Sequence, residues 1–219
     1  DPAAPNAPRA PDLAAFGVDT SRPLLIVDVD EVLGLFIDGF GRFVGTRGLE
    51  MRVERFALFQ NIYEPGATEH IDLELGKRLF DDFFRYGSSD MAPAPGGAEA
   101  LRDLSRHAGV VILSNAPPHG RLARARWLGR HGMDYPLVLN SGPKGPLAAA
   151  LAAQVQGRAA FIDDLIPNLD SVADTAPEIA RFQMVADPTL RQFAPSAPDR
   201  HTRIDDWADL KDALHAAIS

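Results

Sequence analysis

Cysteine is absent from the 219 residues. That absence removes disulfides, thiolate nucleophiles and thiolate metal sites together. It leaves the compartment open, because a cysteine-free chain tolerates any redox poise. A basic excess is lacking too: 22 lysines and arginines face 30 aspartates and glutamates, a net charge of −8. That sign argues against nucleic acid as a partner held by general electrostatics. No apolar run approaches the ~18 residues of a membrane span. The opening residues DPAAPNAPRAPD have neither a basic start nor an apolar stretch, so they do not form an intact signal peptide. The expectation is a cytoplasmic protein with no membrane partner. The six histidines show no metal-ligand spacing. No internal repeat is visible. With 46% hydrophobic residues, a chain of this length buries roughly 70% of its unfolded surface and needs no covalent staple.

What is present is an order of elements. Residues 1–22 are rich in proline and alanine, which predicts a mobile extension with Leu13 and Phe16 as candidates for docking. LLIV before Asp28 reads as a buried strand. The stretch 35–45, with Asp38-Gly39 and Gly41 between apolar segments, predicts a hairpin. Helices are expected over 47–63 and 70–86. MAPAPGG at 91–97 marks a boundary. From there helical patterns at 98–107, 119–131 and 144–156 alternate with strand patterns at 110–113, 137–139 and 159–163. RFQMVA at 181–186 is a further strand candidate, and Trp207, Leu210, Leu214 and Ile218 share one face of a final helix. Such alternation predicts an α/β fold: a Rossmann-like parallel sheet flanked by helices. The core spans 23–219, and the segment 34–93 breaks the alternation as an insertion.

Ligands of open α/β sheets bind beyond the carboxyl ends of the strands. Polar residues directly after the apolar runs are Asp28 and Asp30, Ser114 and Asn115, and Asp163 and Asp164; Lys144 precedes a helix. Two like charges ~4 Å apart repel by ~4 kcal/mol at an effective dielectric near 20. The four acids therefore gather only around a cation, and their hard oxygen donors suit Mg²⁺. The open positions of such an ion take a phosphate oxygen. Ser114 and the backbone N–H of Asn115 can donate to other phosphate oxygens, and Lys144 adds positive charge beside Asp28.

This set resembles the haloacid dehalogenase superfamily, most of whose members are Mg²⁺-dependent phosphatases. Its four motifs correspond to LLIV-Asp28-Val29-Asp30-Glu31-Val32, VVIL-Ser114-Asn115, Lys144 and FI-Asp163-Asp164, in that order. Each motif alone is weak, and the ordered four are specific. The resemblance implies that Asp28 is the nucleophile, forming an aspartyl-phosphate. It implies that Asp30 protonates the leaving oxygen and then activates water, so Asp30 holds a proton for part of the cycle. The ion would be held by the Asp28 side chain, the Asp30 carbonyl and Asp164, with Asp163 direct or through water. The hairpin would be the family's flap, and 34–93 a small helical cap that selects a small phosphorylated metabolite. Arg42, Arg47, Arg52, Arg55, Tyr63, His70 and Arg85 are its possible contacts. Glu31 occupies a variable slot.

Each residue also has an ordinary reading. Isolated aspartates cap helices, and a lone lysine is a surface residue. Arg121, Arg124, Arg126 and Arg130 read as a solvated helix face. His119 reads as a loop histidine, and Phe80, Phe83 and Phe84 as core. Asn168 and Asp170 are candidates for supporting the acidic pair. The main competing function is a non-enzymatic phospho-acceptor module of the receiver type, which places its acidic pair first; here the pair comes last. A phosphotransferase of the same family is the other alternative.

Overall fold

The computed structural model describes residues 9–219. The first eight residues of the proline-rich stretch lie outside the described residues. In chain order the main elements are β1 (Leu24–Val27), α1 (Phe36–Gly45), β2 (Glu50–Met51), β3 (Ile62–Tyr63) and α2 (Leu73–Tyr86). There follow α3 (Gly97–Leu104), β4 (Gly109–Ser114), α4 (Arg121–Arg130), β5 (Leu137–Leu139) and α5 (Gly145–Ala152). The chain ends with β6 (Ala159–Asp163), α6 (Ile166–Thr175), β7 (Ala180–Gln183), β8 (Thr202–Arg203) and α7 (Trp207–Ile218).

Six strands form one sheet in the order β5-β4-β1-β6-β7-β8, every neighbouring pair parallel. β1 is central, and all four of its residues are buried. Alternate residues of each strand point to opposite faces. Leu25, Val27, Ile112 and Ile162 pack with Trp127 of α4 and Trp207, Leu210 and Leu214 of α7. Leu24, Ile26, Val111 and Phe161 pack on the other face with Leu147 and Leu151 of α5 and Leu169 and Val172 of α6. Helices thus cover both faces, as the alternation predicts. Val27 is in register with Ile112 on one side and Ile162 on the other, so the acids after β1 and β6 leave the sheet at one edge.

Of the two docking candidates in the proline-rich stretch one docks, and three other expectations need correction. Leu13 is fully buried on the face with α5 and α6, its N–H donating to Gln154 at 2.9 Å, so this part of the expected extension is packed; Phe16 is exposed. The expected hairpin at 35–45 is the helix α1. Phe36, Ile37, Phe40, Phe43 and Val44 recur at helical spacing and are all buried, and that period outweighs the glycines. Its glycine Gly39 serves close packing instead, since a Cβ there would meet the Met91 backbone at 3.2 Å. The expected helix at 47–63 is the antiparallel pair β2–β3 with a loop between. The fully buried Asn61 organises that loop: its Nδ2 donates to the carbonyls of Arg55 and Ala57, and its Oδ1 accepts from the Glu54 N–H. A side chain that offers the backbone such partners competes with helix. The strand expected at 181–186 is β7, Ala180–Gln183: Met184 still donates to the Asp163 carbonyl of β6, and Ala186 then turns to the Glu31 carbonyl.

α2 forms where expected, capped by Asp72 accepting from the N–H groups of Glu74 and Leu75. It packs on α1 through phenylalanines: Phe83 meets Phe36, Phe40 and Phe43 with ring centroids 5.3, 5.4 and 5.5 Å apart. The segment between β1 and α3 is therefore a small apolar assembly beside the carboxyl edge of the sheet.

Candidate active site

Asp28 directly follows the central strand, its N–H donating to the Ile162 carbonyl, and the residue is 5% exposed. Asp163 ends β6 with no exposure. Lys144, just before α5, lies between them: its Nζ is 2.7 Å from Asp28 Oδ1 and 2.7 Å from Asp163 Oδ2. Carboxylate oxygens of Asp28, Asp163 and Asp164 come within 4.8 Å of one another, and all three residues are buried. Acids from the two ends of the sequence order thus meet at one point.

The electrostatics follow from burial. Removal from water pushes the Asp28 carboxyl up to about 7, with the charges of Asp163 and Asp30 adding to that and Lys144 opposing it. Burial also raises Asp164 well above the usual carboxylate range, reinforced by Asp163, Asp28 and Glu31. Burial alone would lower Lys144, but Asp163 and Asp28 outweigh it and the ammonium is held. One cation faces several acids, and the surplus is negative.

The donors are not equivalent. Asp163 is saturated by the chain: Oδ2 faces Lys144, Oδ1 accepts from the Leu165 N–H at 2.9 Å, and Asn168 donates to both oxygens at 3.1 and 3.2 Å. The Asp164 side chain accepts no hydrogen bond among the described residues and lines a cavity of about 490 Å³, as do Asp28 and Asp30. A set of buried hard oxygens with one unengaged carboxylate fits a divalent cation such as Mg²⁺.

No family model matches the sequence, and no curated protein is found to be similar to it. Solved structures are similar. A haloacid dehalogenase-like family hydrolase, SP0104 from Streptococcus pneumoniae, aligns over 90% of this chain and 100% of its own, with 13% identity and a TM-score of 0.59. YfnB from Bacillus subtilis, a proposed HAD-hydrolase bound to magnesium, aligns over 90% and 99%, with 13% identity and a TM-score of 0.61. A defluorinating L-2-haloacid dehalogenase, Rha0230, aligns over 90% and 98%, with 14% identity and a TM-score of 0.57. The chain has the haloacid dehalogenase fold.

Within the haloacid dehalogenase fold the other expected residues fall as follows. Asn115 lines the cavity; its Oδ1 accepts from Asn140 at 2.9 Å and its Nδ2 donates to the Gly142 carbonyl at 3.0 Å. That ties the loop after β4 to the loop leading to Lys144. Ser114 ends β4 fully buried, its hydroxyl accepting from the Ala116 N–H at 3.3 Å, and it does not line the cavity. Asn168 supports the acidic pair; Asp170 does not, being paired with Arg200 and His201.

Three features escaped the sequence reading. Arg124 is 2% exposed, not solvated, and forks onto Asp30 with Nη1–Oδ1 at 2.7 Å and Nη2–Oδ2 at 3.0 Å. Its guanidinium lies 5.0 Å over the Phe84 ring of α2. A signal existed: Arg124, Trp127 and Leu128 share a face at i, i+3 and i+4, and that face is buried. Glu31 is buried beside the cavity in the left-handed region, φ 63°. The candidate contact residues of 34–93 stand away from the cavity. Arg42 holds Asp38, Arg52 holds Glu50 and stacks on Tyr63, and Arg85 holds Asp81. Arg47 and Arg55 approach Asp82 and Glu54, and His70 Nδ1 meets the Ile71 carbonyl. None of the seven lines the cavity.

Proposed function

We propose that the protein is a Mg²⁺-dependent phosphohydrolase that cleaves a small phosphomonoester through an aspartyl-phosphate on Asp28, with the segment 34–93 as its cap. The observation that carries this reading is Asp28 at the end of the central strand, held by Lys144 within 4.8 Å of the oxygens of Asp163 and Asp164. Magnesium, when held by Asp28, Asp164 and the Asp30 carbonyl, would neutralise phosphoryl charge. Asp163 then serves chiefly to orient Lys144.

In the first step an Asp28 carboxylate oxygen attacks phosphorus and the phosphorus–oxygen bond to the leaving group breaks. Asp30, protonated, gives its proton to the departing oxygen. In the second step Asp30, now a carboxylate, takes a proton from water; the water oxygen attacks phosphorus, and Asp28 leaves as a carboxylate. Lys144 and the Asn115 N–H are assigned to the phosphoryl oxygens; Ser114, buried away from the cavity, instead holds the loop after β4 by accepting from the Ala116 N–H. Arg124 engages both Asp30 oxygens, the arrangement suited to the second step; the first requires one oxygen to leave the fork. Asp30 also favours phosphoester over carbon–halogen cleavage. A departing halide needs no proton, and a departing alkoxide does.

Purified protein with Mg²⁺ is expected to release phosphate from p-nitrophenyl phosphate, to stop in chelator, and to fall at least about 1,000-fold as Asp28→Asn. Full activity in that variant would eliminate the mechanism.

A further inference from the structure

The floor and the walls of the cavity differ in kind. The polar lining, Asp28, Asp30, Glu31, Asn115, Lys144, Asp164 and Asn168, is gathered at the sheet edge. Above them the segment 34–93 contributes Phe36, Ile37, Phe56, Ala57, Leu58 and Phe80. The core side adds Leu165, Ile166, Leu190 and Pro195. Lys144 is the only cation among the described residues lining the cavity. Arg42, Arg47, Arg52, Arg55 and Arg85 of the segment are engaged with neighbouring acids outside it, and its remaining arginine, Arg78, does not line the cavity. A volume of about 490 Å³ is that of a small-molecule site.

We propose that the leaving group of the substrate is apolar, so that the site takes alkyl or aryl monophosphates in preference to sugar phosphates or nucleotides. This rests on the phosphohydrolase reading and adds the substrate class. A hydroxyl brought against phenylalanine and leucine loses its water and gains no partner, which costs about tenfold in affinity per group. A second phosphate would find no cation on these walls. A methylene transferred to the same surface gains about fourfold. The loop that carries Phe56, Ala57 and Leu58 is fixed from behind by Asn61, so the wall is preformed rather than assembled by the ligand.

The test is a chain-length series of ethyl to octyl phosphate with Mg²⁺, beside glucose 6-phosphate and p-nitrophenyl phosphate, and calorimetric binding of the matching alkylphosphonates. We expect kcat/KM to rise about fourfold per methylene until the cavity is filled. Glucose 6-phosphate should stand at least about 100-fold below octyl phosphate. Hydrolysis of p-nitrophenyl phosphate with a flat alkyl series, or a preferred sugar phosphate, overturns the substrate class and leaves the phosphohydrolase intact. If no ester is hydrolysed, that reading falls and phosphonate binding decides. Affinity rising with chain length keeps the apolar site; affinity independent of it overturns the proposal. Ala57→Gln, a change on the wall and outside the catalytic set, should lower kcat/KM about fivefold for octyl phosphate and leave ethyl phosphate unchanged. Equal losses on both esters would count against the wall.

Discussion

Glu31 joins two unfavourable choices in one residue. Its φ of 63° lies where a non-glycine side chain costs on the order of 1 kcal/mol, and its carboxyl is buried. Both are offset by hydrogen bonds: one oxygen accepts from the Ile37 N–H at 2.6 Å and the other from the Asp187 N–H at 3.3 Å. Those bonds staple the loop after β1 to the first turn of α1 and to the chain after β7. Burial still dominates and pushes the carboxyl up to about 8 from its usual 4.5. The folded protein therefore keeps a proton that the unfolded chain releases at lower pH. Stability must fall as pH rises from about 4.5 to about 8, by up to ~1.4 kcal/mol per pH unit. Urea unfolding in chelator at pH 5 and pH 8 should show this loss, and Glu31→Gln should shrink it; parallel slopes would refute the assignment. Arg124 makes a second residue-scale prediction. Arg124→Gln removes the fork on Asp30, and kcat for p-nitrophenyl phosphate should drop roughly 10- to 100-fold with KM little changed. An unchanged kcat would detach Arg124 from the chemistry. The contrast with Asp28, Lys144, Asp163 and Asp164 explains what was legible. Those four follow or flank apolar runs, so their place at a strand end could be read locally. Arg124 meets Asp30 only through the packing of α4 under Phe84, and Glu31 meets Asp187 only through sheet order; neither partner is near in sequence.

At the scale of elements the sheet was readable because each strand is a short apolar run between helical patterns. The segment between β1 and α3 was not, because two kinds of signal conflict there. Glycines at 39 and 41 suggest turns, yet the phenylalanines around them keep a period near 3.6 and a partner helix to bury against. Packing decided the outcome. Asn61 decided the next stretch by capturing loop carbonyls that a helix would have used. Close packing also sets the place of Lys144. The α5 and α6 helices meet at Gly145, whose N–H donates to the Ser171 hydroxyl at 3.0 Å. A Cβ at Gly145 would sit on the Ser171 carbonyl oxygen, a backbone atom that cannot swing aside. Gly145→Ala must therefore separate the two helices and shift the residue before it, which is Lys144. Calorimetry should register a loss of about 1–3 kcal/mol, and the proposed hydrolysis of p-nitrophenyl phosphate should fall more than stability alone explains. A variant as stable and active as the parent would mean that this contact is slack.

At the scale of the whole molecule the acids at the sheet edge oppose folding unless something neutralises them. Asp28, Glu31, Asp163 and Asp164 are all buried, and Lys144 answers only part of their charge. Without a divalent ion, protons are the remaining way to lower that repulsion, which adds to the larger effect of burial in pushing Asp28 and Asp164 upward. A cation that binds only the folded chain adds stability as RT ln(1 + [L]/Kd), about 2.7 kcal/mol at one hundred times Kd. For a chain of this size that corresponds to a rise in Tm of roughly 5–10 °C. The rise carries its own pH dependence. Metal and protons compete for the Asp28 carboxyl, whose proton leaves at about 7, so the Mg²⁺-induced shift should be large at pH 8 and small at pH 5.5. Asp28→Asn and Asp164→Asn should each reduce it. Asp170→Asn, on the same helix as Asn168 but paired with Arg200 and His201, should leave it intact. Differential scanning calorimetry with and without Mg²⁺ at the two pH values separates this from a general salt effect, which would move all variants alike. A Tm that ignores Mg²⁺ at pH 8 would mean the acids are neutralised by protons alone, and the metal would have no place in the site.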